Sequence, residues 1–507
     1  MQMFQMPQIY AVACHTDNIA PGSTFVAIKG QKEDGIGYII QALHKGATKI
    51  VVERTAILPD DVHAAIAKAN AQLIYVYSAR KALAELSAQA LNHPAKQLKL
   101  FAITGTKGKT TSSFLLEHVL KKAGYKTALL STVKNKILDQ EFKTNLTTQH
   151  PDYLHNFFAL CVQAQVEIVV IEVAAQATSL HRIYGLEFEG LIFTNFDQEH
   201  AEFYATQEEY LAAKLAILKQ LKPGAPLLLN ADDIKVSDIK THYVSALLFG
   251  LKNIAEYNAA VVNSGVDVLS LEVFHNQYKT NSLPPSVIEK GHISMHNGMQ
   301  VQTSLQLHDY LKITCPALVG TYNAYNLLGV AALCMEIGID KKIISAGIST
   351  FKSVPGRLER YTLPNGANCF IDYAHNPSSF RAVLSMVREL TPHLIVLFGC
   401  GGDRDKSKRP LMGAIVAEYA DLIMLTSDNP RSEQPQHIVN DILEGISCDK
   451  QHKVFCDLNR EHAIIKAYAH SRSNSVIMLL GKGPDEYQIV GNQKSYFSEK
   501  KIVQSLR

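Results

Sequence analysis

The sequence predicts an α/β fold in three domains, and three observations carry that expectation. Short apolar runs that read as buried strands alternate with helical patterns along all 507 residues. One such run ends in a glycine turn, Gly105 to Gly108, that opens directly into a helix. In the last third, four apolar runs each pass straight into a polar loop. These features divide the chain into residues 1–96, 97–349 and 350–507. The expected architecture is a central parallel sheet of the P-loop ATPase type. A small N-terminal α/β domain and a C-terminal Rossmann-like domain flank it.

In the first segment, Thr24 to Ile28, Lys49 to Glu53 and Gln72 to Tyr77 read as strands, with helices at Gly37 to Lys45 and Asp60 to Ala71. The middle segment starts with a strand at Leu98 to Ile103. A helix follows at Thr110 to Ala123, where Leu115, Leu116, Val119, Leu120 and Ala123 recur at helical spacing. Val166 to Ile171 is a nearly unbroken apolar strand closed by Glu172, and Leu191 to Asn195 is another. Ligands of parallel sheets collect beyond the carboxyl ends of the strands, so Glu172 and His200 are expected on the same side as the glycine turn. A helix at Gln207 to Gln220 carries Lys214, Ala255 to Val319 reads as a β-rich excursion, and Asn323 to Ile337 returns to helix. The last segment has strands at Cys369 to Ile371, Leu394 to Phe398, Leu422 to Leu425 and Val476 to Leu480. Their loops begin at Asp372, Gly399, Thr426 and Gly481, as in a doubly wound sheet with one functional edge.

The chemistry centres on Thr104-Gly-Thr-Lys-Gly-Lys-Thr-Thr111. Backbone N–H groups of a glycine turn and the positive end of the following helix dipole attract phosphate. Lys109 is placed to reach terminal phosphates, and the Thr110 hydroxyl to sit on Mg2+. The turn is a contracted one, because Ile103 stands where the standard pattern has its first glycine. ATP is therefore the expected ligand.

Composition narrows the rest. Hydrophobic residues make up 47% and charged residues 19%, ample for a large core. A net charge of +3 supplies no general pull toward nucleic acid. The eight cysteines are scattered without a C-x-x-C pair, which fits a reducing cytoplasm rather than a disulfide or zinc framework. Met1 to Ile9 lacks the basic and apolar segments of a signal peptide, and no run is long enough to span a bilayer. A cytoplasmic protein without membrane insertion is expected.

Several motifs in order resemble the Mur ligases: Thr104 to Thr110, Thr147-Thr148, the Glu172 strand, Thr194-Asn195 with His200, Glu209 to Lys214, and Asn323 to Asn326. Val354 to Arg360, Asp372 to His375, Gly399 to Asp405 and Asp428-Asn-Pro-Arg431 resemble the family's meso-diaminopimelate-adding branch. The resemblance runs from about Pro21 through nearly the whole chain. It implies that ATP phosphorylates the side-chain carboxylate of the glutamate ending a UDP-muramoyl dipeptide. The amine of meso-diaminopimelate then displaces phosphate. Such a reaction needs alignment and charge neutralisation more than covalent help.

The resemblance also assigns roles. Gly105, Thr106, Lys107, Gly108, Lys109, Thr110 and Thr111 correspond to the phosphate site, and Asn323, Asn326, Arg357, Asp372 and His375 to other nucleotide positions. Thr110, Glu172, His200 and Lys214 correspond to the magnesium positions. Lys214 matches the lysine that becomes carbamylated, and Lys109, Glu172, His200 and Lys214 form the catalytic set. Thr147, Thr148 and Arg182 fall on the nucleotide-peptide side. Arg404, Asp428, Asn429, Pro430, Arg431, Gly481 and Asp485 fall on the amine side. A guanidinium grips a carboxylate through two parallel hydrogen bonds, so Arg431 is expected to anchor the second amino-acid head that lysine lacks. A monomer acting only on small molecules is expected.

Three places depart from the family pattern. His15-Thr-Asp17 replaces Asp-Ser-Arg, Val173-Ala-Ala-Gln176 replaces Val-Ser-Ser-His, and Gly481-Lys-Gly-Pro-Asp485 replaces Gly-Lys-Gly-His-Glu. The ATP side is thus retained while both substrate sides change. Two rival readings follow: a ligase of the same architecture with a different carboxylate donor, and a binding protein that senses precursor or ATP.

Overall fold

The fold is that of a computed structural model describing residues 4–30, 33–197, 203–204, 206–276 and 309–506. The chain forms two compact units. The first comprises Met1–Ala259, Val273–Leu311 and Tyr325–Gly347, the second Ala260–Glu272, Lys312–Ala324 and Ile348–Arg507.

The first unit begins with four parallel strands in the order β1 (Val12–Ala13), β2 (Thr24–Val26), β3 (Lys49–Glu53) and β4 (Gln72–Val76). Helices α1 (Ile39–His44), α2 (Asp60–Lys68) and α3 (Ala79–Ala90) accompany them. Period-two alternation sorts the side chains: Phe25, Ile50 and Val52 join one core, while Val26 and Val51 pack with Ala79, Ala82 and Leu83 of α3 in another.

The larger sheet is built on β5 (Lys99–Thr104), which runs through the glycine turn into α4 (Lys109–Lys122). It also includes β6 (Thr127–Leu130), β7 (Asn135–Ile137), β8 (Gln140–Phe142), β9 (Ile168–Glu172), β10 (Gly190–Phe193), β11 (Leu227–Asn230), β12 (Leu247–Gly250) and β13 (Tyr257–Ser264). The spatial order β13-β12-β11-β10-β5-β9-β6 is parallel throughout, and β7 and β8 add antiparallel strands beyond β6. In register, Glu172 lies beside Ile103 and Phe193 beside Thr104. The glycine turn is therefore bracketed by the ends of β9 and β10. Helices α5 (Pro151–Gln163), α6 (Ala175–Ser179), α7 (Gln207–Leu215) and α8 (Ile234–Ser237) connect these strands.

The helix expected to reach Gln220 is α-helical only to Leu215 and tightens into a 3-10 turn over Ala216–Gln220. The pull comes from Phe188, whose N–H donates to Gln220 O and whose carbonyl accepts from Lys222 N. The β-rich excursion contains β13, β14 (Leu269–His275) and β15 (Asp309–Cys315), and residues 277–308 lie outside the described residues. The chain then enters α9 (Thr321–Glu336) and α10 (Lys341–Ser349).

The second unit holds β16 (Glu359–Thr362), β17 (Asn368–Asp372), β18 (His393–Phe398), β19 (Leu422–Leu425), β20 (Val454–Cys456) and β21 (Ser475–Leu480), ordered β16-β17-β21-β18-β19-β20. All pairs but β16–β17 are parallel. Phe370, Val396, Ile423 and Met478 face one core with α11 (Pro377–Leu390), α12 (Lys408–Tyr419) and α13 (Pro435–Leu443). Ile371, Ile395, Met424 and Ile477 face another with α14 (Arg460–Ala469) and α15 (Glu499–Ser505). Helices on both faces make the sheet doubly wound, and the four expected polar loops share its carboxyl edge. A hairpin of β22 (Tyr487–Val490) and β23 (Gln493–Tyr496) follows β21.

Candidate active site

The glycine turn is closed by its own backbone and by the end of β10. Gly105 has φ +136°, and a Cβ there would stand 2.0 Å from Thr194 Oγ1. Gly108, at φ +84°, caps α4, and its Cβ would stand 2.3 Å from Asn326 Oδ1. No other residue type fits either position without displacing those side chains. Thr194 Oγ1 donates to Lys107 O at 2.7 Å, and Asn195 Oδ1 accepts from Lys107 N at 2.8 Å. Thr106 N donates to Asn195 O, and Lys107 Nζ pairs with Asp197 at 2.8 Å. The Lys109 ammonium folds over the turn, donating to Gly105 O at 3.1 Å and Thr106 O at 2.8 Å. Thr111 is buried on the first turn of α4.

Neighbouring elements supply oxygen donors, from α4 and the end of β9, and a second cation, from α7. Thr110 Oγ1 donates to Glu172 Oε1 at 2.9 Å, and Glu172 Oε2 accepts from Thr132 N at 2.9 Å. Lys214 is only 2% exposed, and its Nζ donates to Gly105 O at 2.6 Å while lying 4.7 Å above the Tyr210 ring. Thr148 Oγ1 donates to Glu172 O and accepts from Ala174 N, and its carbonyl receives Arg182 Nη1 at 2.8 Å. Thr147 Oγ1 lies 3.1 Å from Thr132 Oγ1. Burial, then repulsion from Arg80, lowers the Arg182 pKa. Glu172 thus lies on the side of the turn expected from sequence, Lys214 contacts the turn, and Thr147, Thr148 and Arg182 cluster beside Glu172, while His200 lies outside the described residues. Ala174 caps α6 without a side-chain hydrogen bond, so the altered Ala-Ala-Gln run leaves that N-terminus open.

Asn326 also accepts from Ser112 Oγ at 3.2 Å, which ties α9 to α4. The run Asn230-Ala-Asp-Asp233 carries no motif that sequence reasoning flagged, yet it braces this region. Asn230 Nδ2 donates to Thr194 O, and Asp233 Oδ2 accepts from Phe196 N. Asp232 collects the N–H groups of Leu251, Lys252 and Asn253 and the Tyr325 hydroxyl. A polar run immediately after an apolar strand was the available signal.

In the second unit, Asn323 Nδ2 donates to Val319 O. Asp372 ends β17 and accepts from Leu358 N and Ala374 N, each at 2.8 Å. Burial raises its pKa, with Arg357 opposing the shift. Arg357 lies 4.9 Å over the Tyr373 ring, and His375 Nδ1 meets Tyr373 O at 2.8 Å. Gly356 packs on Gly483 and Pro484, joining the Arg357 loop to the loop after β21.

Arg431 adopts φ +51°, and its Nη1 donates to Gly402 O at 2.7 Å. Arg404 is exposed. Asp428, Asn429 and Pro430 are buried, and the Asn429 side-chain oxygen is already taken by Lys482 Nζ and Ile489 N. A Cβ on Gly481 would meet Asp428 Oδ2 at 2.8 Å. Asp485 sits beside Tyr487, and burial raises its carboxyl pKa. Two buried arginines that sequence reasoning did not reach brace these loops. Arg409 grips Glu433 through two hydrogen bonds of 2.9 Å and also reaches Asp441. Arg460 donates to Glu499, Ser427 O and Leu480 O.

The donor set near the turn suits a hard divalent cation. Thr110 and Glu172 offer oxygen only, and no group of three His, Cys, Asp or Glu gathers among the described residues. Mg2+ is commonly held by one or two carboxylates together with substrate phosphates, so these residues fit it.

A contracted phosphate turn with oxygen ligands at the next strand end defines an enzyme of the P-loop nucleotide-using class. Comparison with known proteins gives the family. Residues 8–90 match the Mur ligase family catalytic domain, 103–334 the Mur ligase middle domain, and 356–483 the Mur ligase glutamate ligase domain. The chain is 34% identical over 490 residues to UDP-N-acetylmuramoyl-L-alanyl-D-glutamate--2,6-diaminopimelate ligase 1 of Clostridium acetobutylicum, covering 94% of this chain and 90% of that one. It is also 34% identical over 506 residues to the correspondingly named ligase of Bacillus licheniformis, covering 98% and 94%. A solved structure titled as such a ligase superposes with a TM-score of 0.65 at 23% identity, covering 98% and 94%. The chain belongs to the Mur ligase family. It is accordingly an ATP-dependent, ADP-forming ligase, of a family that generally uses ATP and Mg2+. No helix among the described residues is long and apolar enough to cross a membrane.

Proposed function

We propose that this ligase joins meso-diaminopimelate to the side-chain carboxylate of the glutamate in UDP-N-acetylmuramoyl-L-alanyl-D-glutamate, as a cytoplasmic monomer. The observation that carries the reading is the convergence on one glycine turn of Lys109, the Thr110–Glu172 pair and buried Lys214. A protein that only binds precursor has no use for that set. Residues 1–96 take the UDP-sugar, 97–349 the ATP and 350–507 the amino acid.

Gly105, Thr106, Lys107, Gly108 and Thr111 line the phosphate site, with Asn323, Asn326, Arg357, Asp372 and His375 at other parts of the nucleotide. Lys109 neutralises charge on the phosphoryl group as it passes from ATP to a carboxylate oxygen. The bond to ADP breaks and an acyl phosphate forms. Thr110, Glu172, Lys214 and His200 would hold magnesium, which would supply further charge neutralisation. Lys214, buried with its Nζ against the glycine turn, serves as a carbamate. Thr147, Thr148 and Arg182 orient the nucleotide peptide. The amine nitrogen attacks the acyl carbon, phosphate leaves with the C–O bond, and the nitrogen sheds a proton. Arg431, with Arg404, Asn429, Asp428, Pro430, Gly481 and Asp485, holds the amino acid.

Incubation with ATP, Mg2+, the UDP-muramoyl dipeptide and either meso-diaminopimelate or lysine tests the assignment. Amide product with meso-diaminopimelate but not lysine is expected, and product with lysine alone would overturn it. The run Val173-Ala-Ala-Gln176, in place of the family's Val-Ser-Ser-His, favours one second reading, the same chemistry on another carboxylate donor. Turnover with an alternative glutamyl donor but not the UDP-muramoyl dipeptide would establish that reading.

A further inference from the structure

The hairpin after β21 is a poor candidate for independent stability. Both its strands have four residues, and β23 is exposed along its whole length. Two short strands alone are marginal in water. Yet this hairpin holds both main-chain polar groups of Arg431: Arg431 N donates to Ile489 O at 3.2 Å, and Gly491 N to Arg431 O at 2.7 Å. Those bonds clamp a non-glycine residue at φ +51°, a conformation that L side chains avoid.

What holds the hairpin down is a buried ammonium. Lys482 is 1% exposed, and its Nζ donates to Tyr487 O at 2.8 Å and Asn429 Oδ1 at 3.2 Å. It also lies 3.4 Å from Asp428 Oδ1 and 5.5 Å from the Phe497 ring centre. One side of this cation thus contacts the Asp428–Arg431 loop, and the other contacts the base of the hairpin. Ile489 N to Asn429 Oδ1 at 3.0 Å and Gln488 Nε2 to Asp428 O at 2.9 Å complete the seam. A buried charge is costly unless every proton finds a partner, so the loops that satisfy Lys482 are constrained by it.

We propose that Lys482 is a positioning residue for the amine site. It locks the Tyr487–Tyr496 hairpin onto the loop after β19, and the hairpin in turn fixes the backbone from which Arg431 reaches substrate. Lys482 acts through Arg431 rather than on the reacting atoms. Burial lowers its pKa and Asp428 opposes the shift, and at 1% exposure the amine has no route to solvent as a base. The inference deepens the amine-site reading above and rests on it.

Steady-state kinetics of the full chain carrying Lys482→Met, and separately Gln488→Ala, provide the test. Lys482→Met should raise the meso-diaminopimelate KM by about tenfold or more, and Gln488→Ala by about threefold, with the ATP and UDP-dipeptide KM values within about twofold of wild type. A merely structural residue would lower kcat and thermal stability while leaving the amine KM unchanged. Unchanged amine KM in Gln488→Ala and in any folded Lys482→Met overturns the role of Lys482, and Gln488→Ala alone decides if Lys482→Met does not fold. Wild-type protein that forms no amide from meso-diaminopimelate overturns the amine-site reading and this inference with it.

Discussion

At the glycine turn of the first unit the main chain does most of the holding, whereas in the second unit buried ion pairs do. Lys109 and Lys214 both rest on loop carbonyls, and Gly105 and Gly108 permit the approach of Thr194 and Asn326. The loops after β18, β19 and β21 are instead cross-braced by Arg409 on Glu433 and Asp441, by Arg460 on Glu499, and by Lys482 on Asp428. The contrast fits what each site is proposed to bind. Phosphate is recognised by backbone N–H groups, so a rigid local turn suffices. A zwitterionic amino acid needs side chains of both signs drawn from several loops, and those loops must be fixed from a distance.

The contrast can be broken or sharpened by substitution. Lys109→Ala should have the largest effect, lowering ADP release at saturating substrates by roughly a thousandfold, because the transferring phosphoryl group loses its fixed cation. A near-normal rate would remove the turn from the mechanism. Arg431→Ala should raise the meso-diaminopimelate KM by roughly 10–100-fold, the range for charged hydrogen bonds, while the ATP KM stays within about twofold. An unchanged amine KM would dismiss Arg431 as an anchor.

Acid stability should separate the two units. In the second, the Arg409 guanidinium is the chief cause holding Glu433 down to about 2, against an ordinary value of 4.5. A depressed carboxylate stabilises the fold above its unfolded pKa, and that contribution is lost as pH falls from 4.5 toward 2. Glu433→Gln should therefore flatten the dependence of the urea midpoint on pH in that window; an unaltered slope would deny the pair a part in stability. In the first unit, burial on α5 pushes His155 down to about 4, and its Nδ1 has no partner. The unfolded histidine takes up a proton near 6.5 and the folded one does not, so stability should already decline from pH 6.5 toward 4. His155→Phe should make this slope shallower, the remainder coming from His118, His150 and His181, which burial also lowers, as read by the urea midpoint. An unaltered slope would deny His155 a part in it.

The same difference explains what could be read from the chain. The glycine turn, Glu172 and the strand ends at Asp372, Gly399, Thr426 and Gly481 were legible because each is a local pattern: an apolar run, then glycine or a polar cluster. The order of parallel strands then placed them on common edges. Arg409 and Arg460 were not legible, since nothing in a helical sequence distinguishes an arginine buried on a distant glutamate from one in solvent. The strands β7, β8 and β23 escaped notice for lack of an apolar run; Asn230 to Asp233 does follow one, but its bracing role rests on partners on other elements. The early end of α7 depends on Phe188, which is distant in sequence.

The central claim is that ATP bound at the glycine turn activates a carboxyl group before the amine arrives. Hydroxylamine trapping tests it most directly: enzyme, ATP, Mg2+ and the UDP-muramoyl dipeptide are mixed with hydroxylamine and no amino acid. Hydroxamate on the glutamyl side chain is expected in step with ADP, and none with Lys109→Ala. ADP without hydroxamate, or equal hydroxamate from the variant, would contradict it.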